Sequence, residues 1–327
     1  MSILDKIRKP ILPDLEGFDK FVAQEFRSDN PLIATILRDA MSSRGKGVRP
    51  TIVMLCAALN SATGVVSRRA WVAAMMVEMI HLASLIHDDV IDEADTRRGK
   101  PSLNAVWQSK RAVLTGDYIL ARNLSIGLSS GQFDIVSHVV KAIAILCEGE
   151  FIQDDCARRQ IMTRDEYIRI ISKKTASLIS ISASAGAMAA GASGKQVEKM
   201  KYFGEAVGMA FQIQDDILDY THDAHTGKPT NNDLREGKIT LPLLAILERG
   251  DDNLNAQIME LLAKCGNDES AVETLHDIVT REGGVDFARQ VMTAYIDKAT
   301  QILAQYPEGE HRTALMNLCA FITQRDN

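Results

Sequence analysis

Three observations predict an all-α fold: a long interval without proline, apolar spacing of helical period, and a shortage of strand signals. No proline occurs between Pro101 and Pro229, and because proline breaks helix interiors, that interval favours helix after helix. Trp71 to Ile86 is apolar with few interruptions, as expected of a helix buried on most sides. Val139 to Ile152 alternates apolar and charged positions at helical spacing. No Asn-Gly or Asp-Gly pair offers a hairpin turn, and β-branched runs are short.

Boundaries follow from local chemistry. Clusters of Gly, Pro, Asn or charge mark loops at Arg44 to Gly47, Asp95 to Ser102 and Thr221 to Gly237. Thr163-Arg164-Asp165-Glu166 ahead of Tyr167 and Ile168 has the form of a capping box and marks a helix start. Lys173-Lys174-Thr175 opens an uncharged stretch that runs to Gly194. Its Ala, Ser and Gly content suits a tightly packed buried helix better than a membrane span. No shift in composition divides the chain, so residues 1–327 are expected to form one helical domain.

The 327 residues are 46% hydrophobic and 24% charged with a formal net charge of −6, which argues against a general nucleic-acid binder. Five cysteines lie scattered without a C-x-x-C pair, so a reducing cytoplasm is the expected location. Met1 to Pro13 mixes charges with apolar residues and lacks the apolar run of a signal peptide. No transmembrane segment is expected.

Two copies of one acidic pattern carry the chemistry: Asp88-Asp89-Val90-Ile91-Asp92 and Asp215-Asp216-Ile217-Leu218-Asp219, each closing an apolar run. Residues four apart share a helix face, so Asp88 with Asp92 and Asp215 with Asp219 each present two carboxylates in one direction. Such pairs ask for a compensating cation, and oxygen-only ligands favour Mg²⁺, with phosphate oxygens from a ligand completing the site. One acidic helix face alone is usually just solvated; two with the same spacing point to a metal.

Basic groups accompany the acidic ones. Arg44, Lys46 and Arg49 occupy a glycine-containing loop, and Thr96-Arg97-Arg98-Gly99-Lys100 follows the first acidic pattern. Lys228 and Lys238 follow the second, each after a glycine. Arginine suits bidentate phosphate binding and lysine adds a mobile charge. The sequence carries neither a P-loop nor a G-x-G-x-x-G motif, so the phosphate belongs to something other than a nucleotide. His81, two turns before Asp88, is either a core histidine or a phosphate donor; His87 lies closer still. Gln212, one turn before Asp216, is either a packing residue or a substrate donor.

Together these residues resemble the trans-isoprenyl diphosphate synthases, the polyprenyl synthetase family. The resemblance rests on Leu85 to Asp92 with Arg97-Arg98-Gly99, on Phe211 to Asp219, and on Gly45-Lys46-Gly47-Val48-Arg49-Pro50. Lys174-Thr175 and Gly237-Lys238-Ile239-Thr240-Leu241-Pro242 complete it, in family order. It implies an all-α fold around a deep cavity, a homodimer, and head-to-tail condensation of an allylic diphosphate with isopentenyl diphosphate. By position it assigns Asp88, Asp92 and Asp215 to Mg²⁺, three ions per active site, with Asp89, Asp216 and Asp219 in support. It places Arg97, Lys174, Lys228 and Lys238 at the allylic diphosphate, and Lys46, Arg49, His81 and Arg98 at isopentenyl diphosphate. Thr175 and Gln212 would line the reacting centre.

Five and four positions before Asp88 stand Ala83 and Ser84, where short-chain relatives often carry a bulky residue. Small side chains there, expected beneath the metal site, leave room for a growing chain, and the resemblance leans to long-chain all-trans polyprenyl synthases that make quinone side chains. Met75, Met76, Met79 and Ile80 are either a floor to that space or simply core. The rival readings are a farnesyl or geranylgeranyl synthase, a class I terpene cyclase and a non-catalytic synthase subunit. The second D-D-x-x-D speaks against a cyclase, and the intact acidic and basic groups speak against a non-catalytic subunit. A cation-binding helical scaffold would leave the arginines and lysines unexplained.

Overall fold

The apolar, proline-free stretches form helices in the computed structural model, which describes residues 3–42, 45–159, 161–221, 230–249 and 252–324. In chain order these are α1 (Ile3–Arg8), a 3₁₀ turn (Lys9–Ile11), α2 (Leu12–Glu25), α3 (Pro31–Ser42), α4 (Val48–Asn60) and α5 (Arg68–Ile91). A hairpin of β1 (Thr96–Arg97) and β2 (Lys100–Pro101) precedes α6 (Leu103–Ser129), α7 (Phe133–Val139), α8 (Lys141–Arg159) and α9 (Arg164–Ile171). A π-helical turn (Ser172–Ala176) leads into α10 (Ser177–Ala189), α11 (Gly194–Asp219), α12 (Asn232–Arg235) and α13 (Leu241–Leu247). The chain ends with α14 (Asp252–Lys264), α15 (Glu269–Arg281), α16 (Gly284–Leu303) and α17 (Glu310–Thr323). Pro31, Pro50 and Pro242 fall in first turns, where a missing N–H costs no helical bond.

Residue contacts divide the chain into two compact units. The first comprises residues 1–144, 178–204 and 306–315; the second comprises 145–177, 205–305 and 316–327. In the first unit α5 is the central helix, packed most extensively on α6 and then on α4. Ala70, Ala73, Ala74, Met75, Met76, Val77, Met79 and Ala83 of α5 are all fully buried, so its apolar residues face neighbours on every side. Among the described residues α5 alone is long and apolar enough to cross a membrane, yet most of its apolar window is buried inside the protein. In the second unit α13 packs on α16, and α14 on α15.

Two of the expected loops hold more structure than their composition announces. Asp95 to Ser102 contains the β1–β2 hairpin, with Thr96 opposite Pro101 and Arg97 opposite Lys100. Its two-residue turn is Arg98-Gly99, with φ of 54° and 73°. Both turn positions need positive φ; glycine takes it freely, whereas Arg98 takes it against the strain of its Cβ. Thr221 to Gly237 includes helix α12. Lys173-Lys174-Thr175 lies in the π turn joining α9 to α10 rather than opening α10. The expected helix over Val139 to Ile152 is broken between α7 and α8.

Helix caps follow the sequence closely. Thr163 accepts from the Glu166 backbone N–H at 3.2 Å while Glu166 accepts from Thr163 N–H at 2.9 Å, the reciprocal box that starts α9. Ser102 accepts from Ala105 N–H at 3.0 Å and donates to the Ala94 carbonyl at 2.6 Å. Those two bonds tie the hairpin loop to the start of α6.

Candidate active site

The sequence-selected residues fall into two groups, one in each unit. In the first, α5 ends with the acidic pattern: Asp88 is half-buried, Asp89 buried and Asp92 exposed. Asp92 N–H donates to the Asp88 carbonyl at 2.8 Å, so the helical turn reaches Asp92 and the pair faces one way. Asp89 is 3% exposed and accepts from Arg97 Nε at 2.6 Å. Burial pushes its carboxyl above the usual range, against the downward pull of Arg97.

The basic residues of this unit crowd one another. Arg49 Nε is buried without a hydrogen-bond partner among the described residues. Burial lowers its guanidinium to about 10, opposed by the negative charge of Glu78 and assisted by Arg98. His81 is held well below its ordinary value by burial and by the charges of Arg49, Arg98 and Arg97. At neutral pH it is an uncharged imidazole, able to donate one N–H but adding no charge. Gly45 lies against Arg98: a Cβ there would stand 2.3 Å from Nη1. Lys46 is exposed. His87 turns toward α6, with Nε2 3.3 Å from the Val113 carbonyl and 3.5 Å from Asp117.

Ala83 is fully buried and Ser84 is half-buried, its hydroxyl donating to the His81 carbonyl at 2.9 Å. At about 100° per residue, Ser84 lies about 40° around the helix from Asp88 and Ala83 about 140°. Only Ser84 therefore shares the acidic face. Leu82, Leu85, Ile86 and Asp89 of α5 line a cavity of about 310 Å³ with Arg97 and Val106.

In the second unit α11 ends with Asp215 half-buried, Asp216 buried and Asp219 half-buried. Asp216 accepts from the Tyr167 hydroxyl at 2.6 Å and from Gln212 Nε2 at 3.0 Å. Burial pushes its carboxyl up to about 7, although both donors pull the other way. Thr175 donates to Gln212 Oε1 at 2.7 Å. Asp219 takes the backbone N–H of Asn232 and of Asp233 at 3.0 and 2.9 Å, anchoring α12. Burial and the neighbouring Asp219 raise Asp233 to about 6.

The π turn sets Lys174 and Thr175 side by side. Lys174 Nζ lies 2.8 Å from Glu150 and 3.2 Å from Gln153 Oε1. Lys238 is exposed and ion-paired with Glu236. Lys228 lies outside the described residues. Glu78, Glu150 and Tyr167 were not singled out by the sequence pattern. Tyr167 is 49 residues from Asp216, and no local motif signals a partner at that distance.

Among the described residues no group of three or more His, Cys, Asp or Glu is placed to hold a metal ion. Asp89, Asp216 and Asp219 have oxygens committed to protein donors, while Asp92 is exposed. The donor set fits a hard cation whose remaining ligands are phosphate oxygens and water.

Residues 30–279 match the polyprenyl synthetase family. The chain is 33% identical over 320 residues to the all-trans-nonaprenyl-diphosphate synthase (geranyl-diphosphate specific) of Rhodobacter capsulatus, covering 98% of this chain and 97% of that one. It is 33% identical over 324 residues to the octaprenyl diphosphate synthase of Escherichia coli (strain K12), covering 99% of each. The crystal structure of a decaprenyl diphosphate synthase from Rhodobacter capsulatus superimposes with a TM-score of 0.91 at 31% identity, covering 99% of both chains. A family match over residues 30–279 and this degree of identity along the whole chain show that it belongs to the polyprenyl synthetase family.

Proposed function

We propose that this protein is a Mg²⁺-dependent prenyltransferase that condenses isopentenyl diphosphate with an allylic diphosphate to make a long-chain all-trans polyprenyl diphosphate. The carrying observation is the pair of D-D-x-x-D helix ends, each accompanied by cationic side chains, in a chain similar along its whole length to octaprenyl and nonaprenyl diphosphate synthases. Asp88, Asp92 and Asp215 are the residues that would hold the metal. Bound there, Mg²⁺ would neutralise diphosphate charge as the allylic C–O bond ionises.

The chain's own groups do the rest. Arg97, beside Asp89, and Lys174, beside Glu150, are with Lys228 and Lys238 the residues that would stabilise the charge the allylic diphosphate gains on leaving. Lys46, Arg49, Arg98 and neutral His81 hold isopentenyl diphosphate, and the unpartnered Arg49 Nε offers it a donor. The isopentenyl double bond supplies the electron pair for the new C–C bond, a proton is lost, and pyrophosphate leaves. Apolar helix faces keep water from the cation. No protein nucleophile is needed.

The residues would serve a homodimer in the cytoplasm. Exposed Val106, Val113, Leu114 and Leu128 on α6 support an interface there, and light scattering that finds only monomer would exclude it. Purified protein incubated with Mg²⁺, isopentenyl diphosphate and geranyl, farnesyl or geranylgeranyl diphosphate should yield products longer than geranylgeranyl. Absence of any condensation across the three primers would overturn the reading. Products stopping at farnesyl or geranylgeranyl length would leave the chemistry but remove the long-chain assignment.

A further inference from the structure

Tyr167 stands in the first turns of α9, 4% exposed, and its hydroxyl donates to Asp216 Oδ2 at 2.6 Å. The second oxygen of Asp216 accepts from Gln212 Nε2, one helical turn away on α11. Thr175 Oγ1 donates in turn to Gln212 Oε1. These three bonds form one directional chain. An amide nitrogen only donates, so Gln212 must donate to Asp216 whether or not that acid carries its proton, and the Tyr167 hydroxyl holds the other oxygen. With its nitrogen turned to Asp216, Gln212 shows its oxygen to Thr175. The single hydroxyl proton of Thr175 is then committed to Gln212, and only its lone pairs remain for anything bound beside it.

That polarity matters for an allylic substrate. An oxygen presenting lone pairs, too weakly basic to take a proton, attracts the positive charge that develops as the C–O bond ionises. A hydroxyl turned the other way would present its proton and oppose that charge. Among the described residues the Tyr167 hydroxyl bonds only Asp216, at the far end of this chain, and its own ring is buried. We infer that Tyr167 is a positioning residue, acting through Asp216 and Gln212 to keep the Thr175 hydroxyl oriented for allylic ionisation. The inference rests on the prenyl-transfer reading above.

A double-mutant cycle on the full-length enzyme tests it, because residues acting through one another are non-additive. Tyr167→Phe should lower kcat about tenfold with KM for both substrates within about twofold, and, since buried Asp216 loses a donor, should lower the melting midpoint equally whatever residue stands at 175. In a Thr175→Val background, which keeps the side-chain shape but has no hydroxyl to orient, the same change should cost less than about twofold. In a Thr175→Ser background the full loss should return. Asp216→Asn, whose amide can donate and so release Gln212, should lower kcat in the same Thr175-dependent way; it serves as the second arm if Tyr167→Phe folds poorly. Equal losses with and without the Thr175 hydroxyl, or an unchanged kcat in Tyr167→Phe, would overturn the inference. Wild-type enzyme that condenses nothing would instead overturn the prenyl-transfer reading, a distinct result.

Discussion

In α5 the middle aspartate of the acidic pattern, Asp89, meets a cation; in α11 its counterpart, Asp216, takes its hydrogen bonds among the described residues from neutral donors. Arg97 Nε lies 2.6 Å from Asp89, whereas Asp216 is held by a tyrosine hydroxyl and a glutamine amide. The third aspartates differ as well. Asp92 caps α5 and is exposed, while Asp219 uses both carboxylate oxygens to hold the backbone of α12. Identical spacing therefore places carboxylates alike on two helices, and the partners supplied by the fold decide what each one does. Burial raises both carboxyls, but at Asp89 the Arg97 ion pair pulls down against it, whereas at Asp216 the charges of Asp233 and Asp215 add to the burial that favours its proton.

If the first aspartate of each pattern serves the metal, the two helix ends are equivalent in one respect and the comparison can be broken there. Asp88→Ala and Asp215→Ala should each reduce turnover by orders of magnitude with the fold intact, and EDTA should do the same to wild type. Near-normal condensation by either variant, or by metal-stripped protein, would remove that equivalence.

The basic partners should separate the units. Arg49→Ala should chiefly raise the KM for isopentenyl diphosphate and Lys238→Ala that for the allylic substrate. Each should cost on the order of 1.5–3 kcal/mol, roughly ten- to more than a hundredfold. Arg49→Ala also strips buried Glu78 of a nearby positive charge, so its melting midpoint should fall, while that of Lys238→Ala, an exposed residue ion-paired with Glu236, should change less. Parallel rises in both KM values for both variants would show that the division is wrong.

A tyrosine at Ala83 probes the α5 side alone. The product should shorten toward farnesyl or geranylgeranyl length while the first condensations continue. Because Ala83 is fully buried, the new ring must also displace neighbours, and some loss of thermal stability should accompany the change. Chromatography of dephosphorylated products decides: an unchanged length distribution at normal activity would mean that the growing chain does not pass Ala83.

The smallest effect is on stability. Because the folded protein holds the Asp216 proton up to about 7 against an ordinary 3.8, the folded state binds it more tightly than the unfolded chain does. Its contribution is full below the unfolded value and is lost as pH rises through that interval. Asp233, raised to about 6, acts in the same direction. Metal-free Asp216→Asn should therefore lose less stability than wild type between pH about 4 and 7. Melting curves with the same pH slope in both would refute it.

Much of the site is legible along the chain because its signals are local. Asp88 with Asp92 and Asp215 with Asp219 are spaced by one helical turn, the Thr163–Glu166 box spans three residues, and the apolar run of α5 requires no knowledge of its neighbours. The hairpin at Arg98-Gly99 escaped because arginine is an unexpected choice for a positive-φ position, tolerated where the strands and Gly45 hold it.

What the sequence by itself determined is the helical class, the two acidic faces and the cationic groups that accompany them, since periodicity and spacing act over a few residues. Only the tertiary structure decided that Asp89 is paired with Arg97, that Arg49 shares its environment with Glu78, and that Tyr167 orders Asp216, Gln212 and Thr175. Those relations join residues 8 to 49 positions apart. They depend on which side chains burial brings within hydrogen-bonding distance, and spacing along the chain carries no record of that.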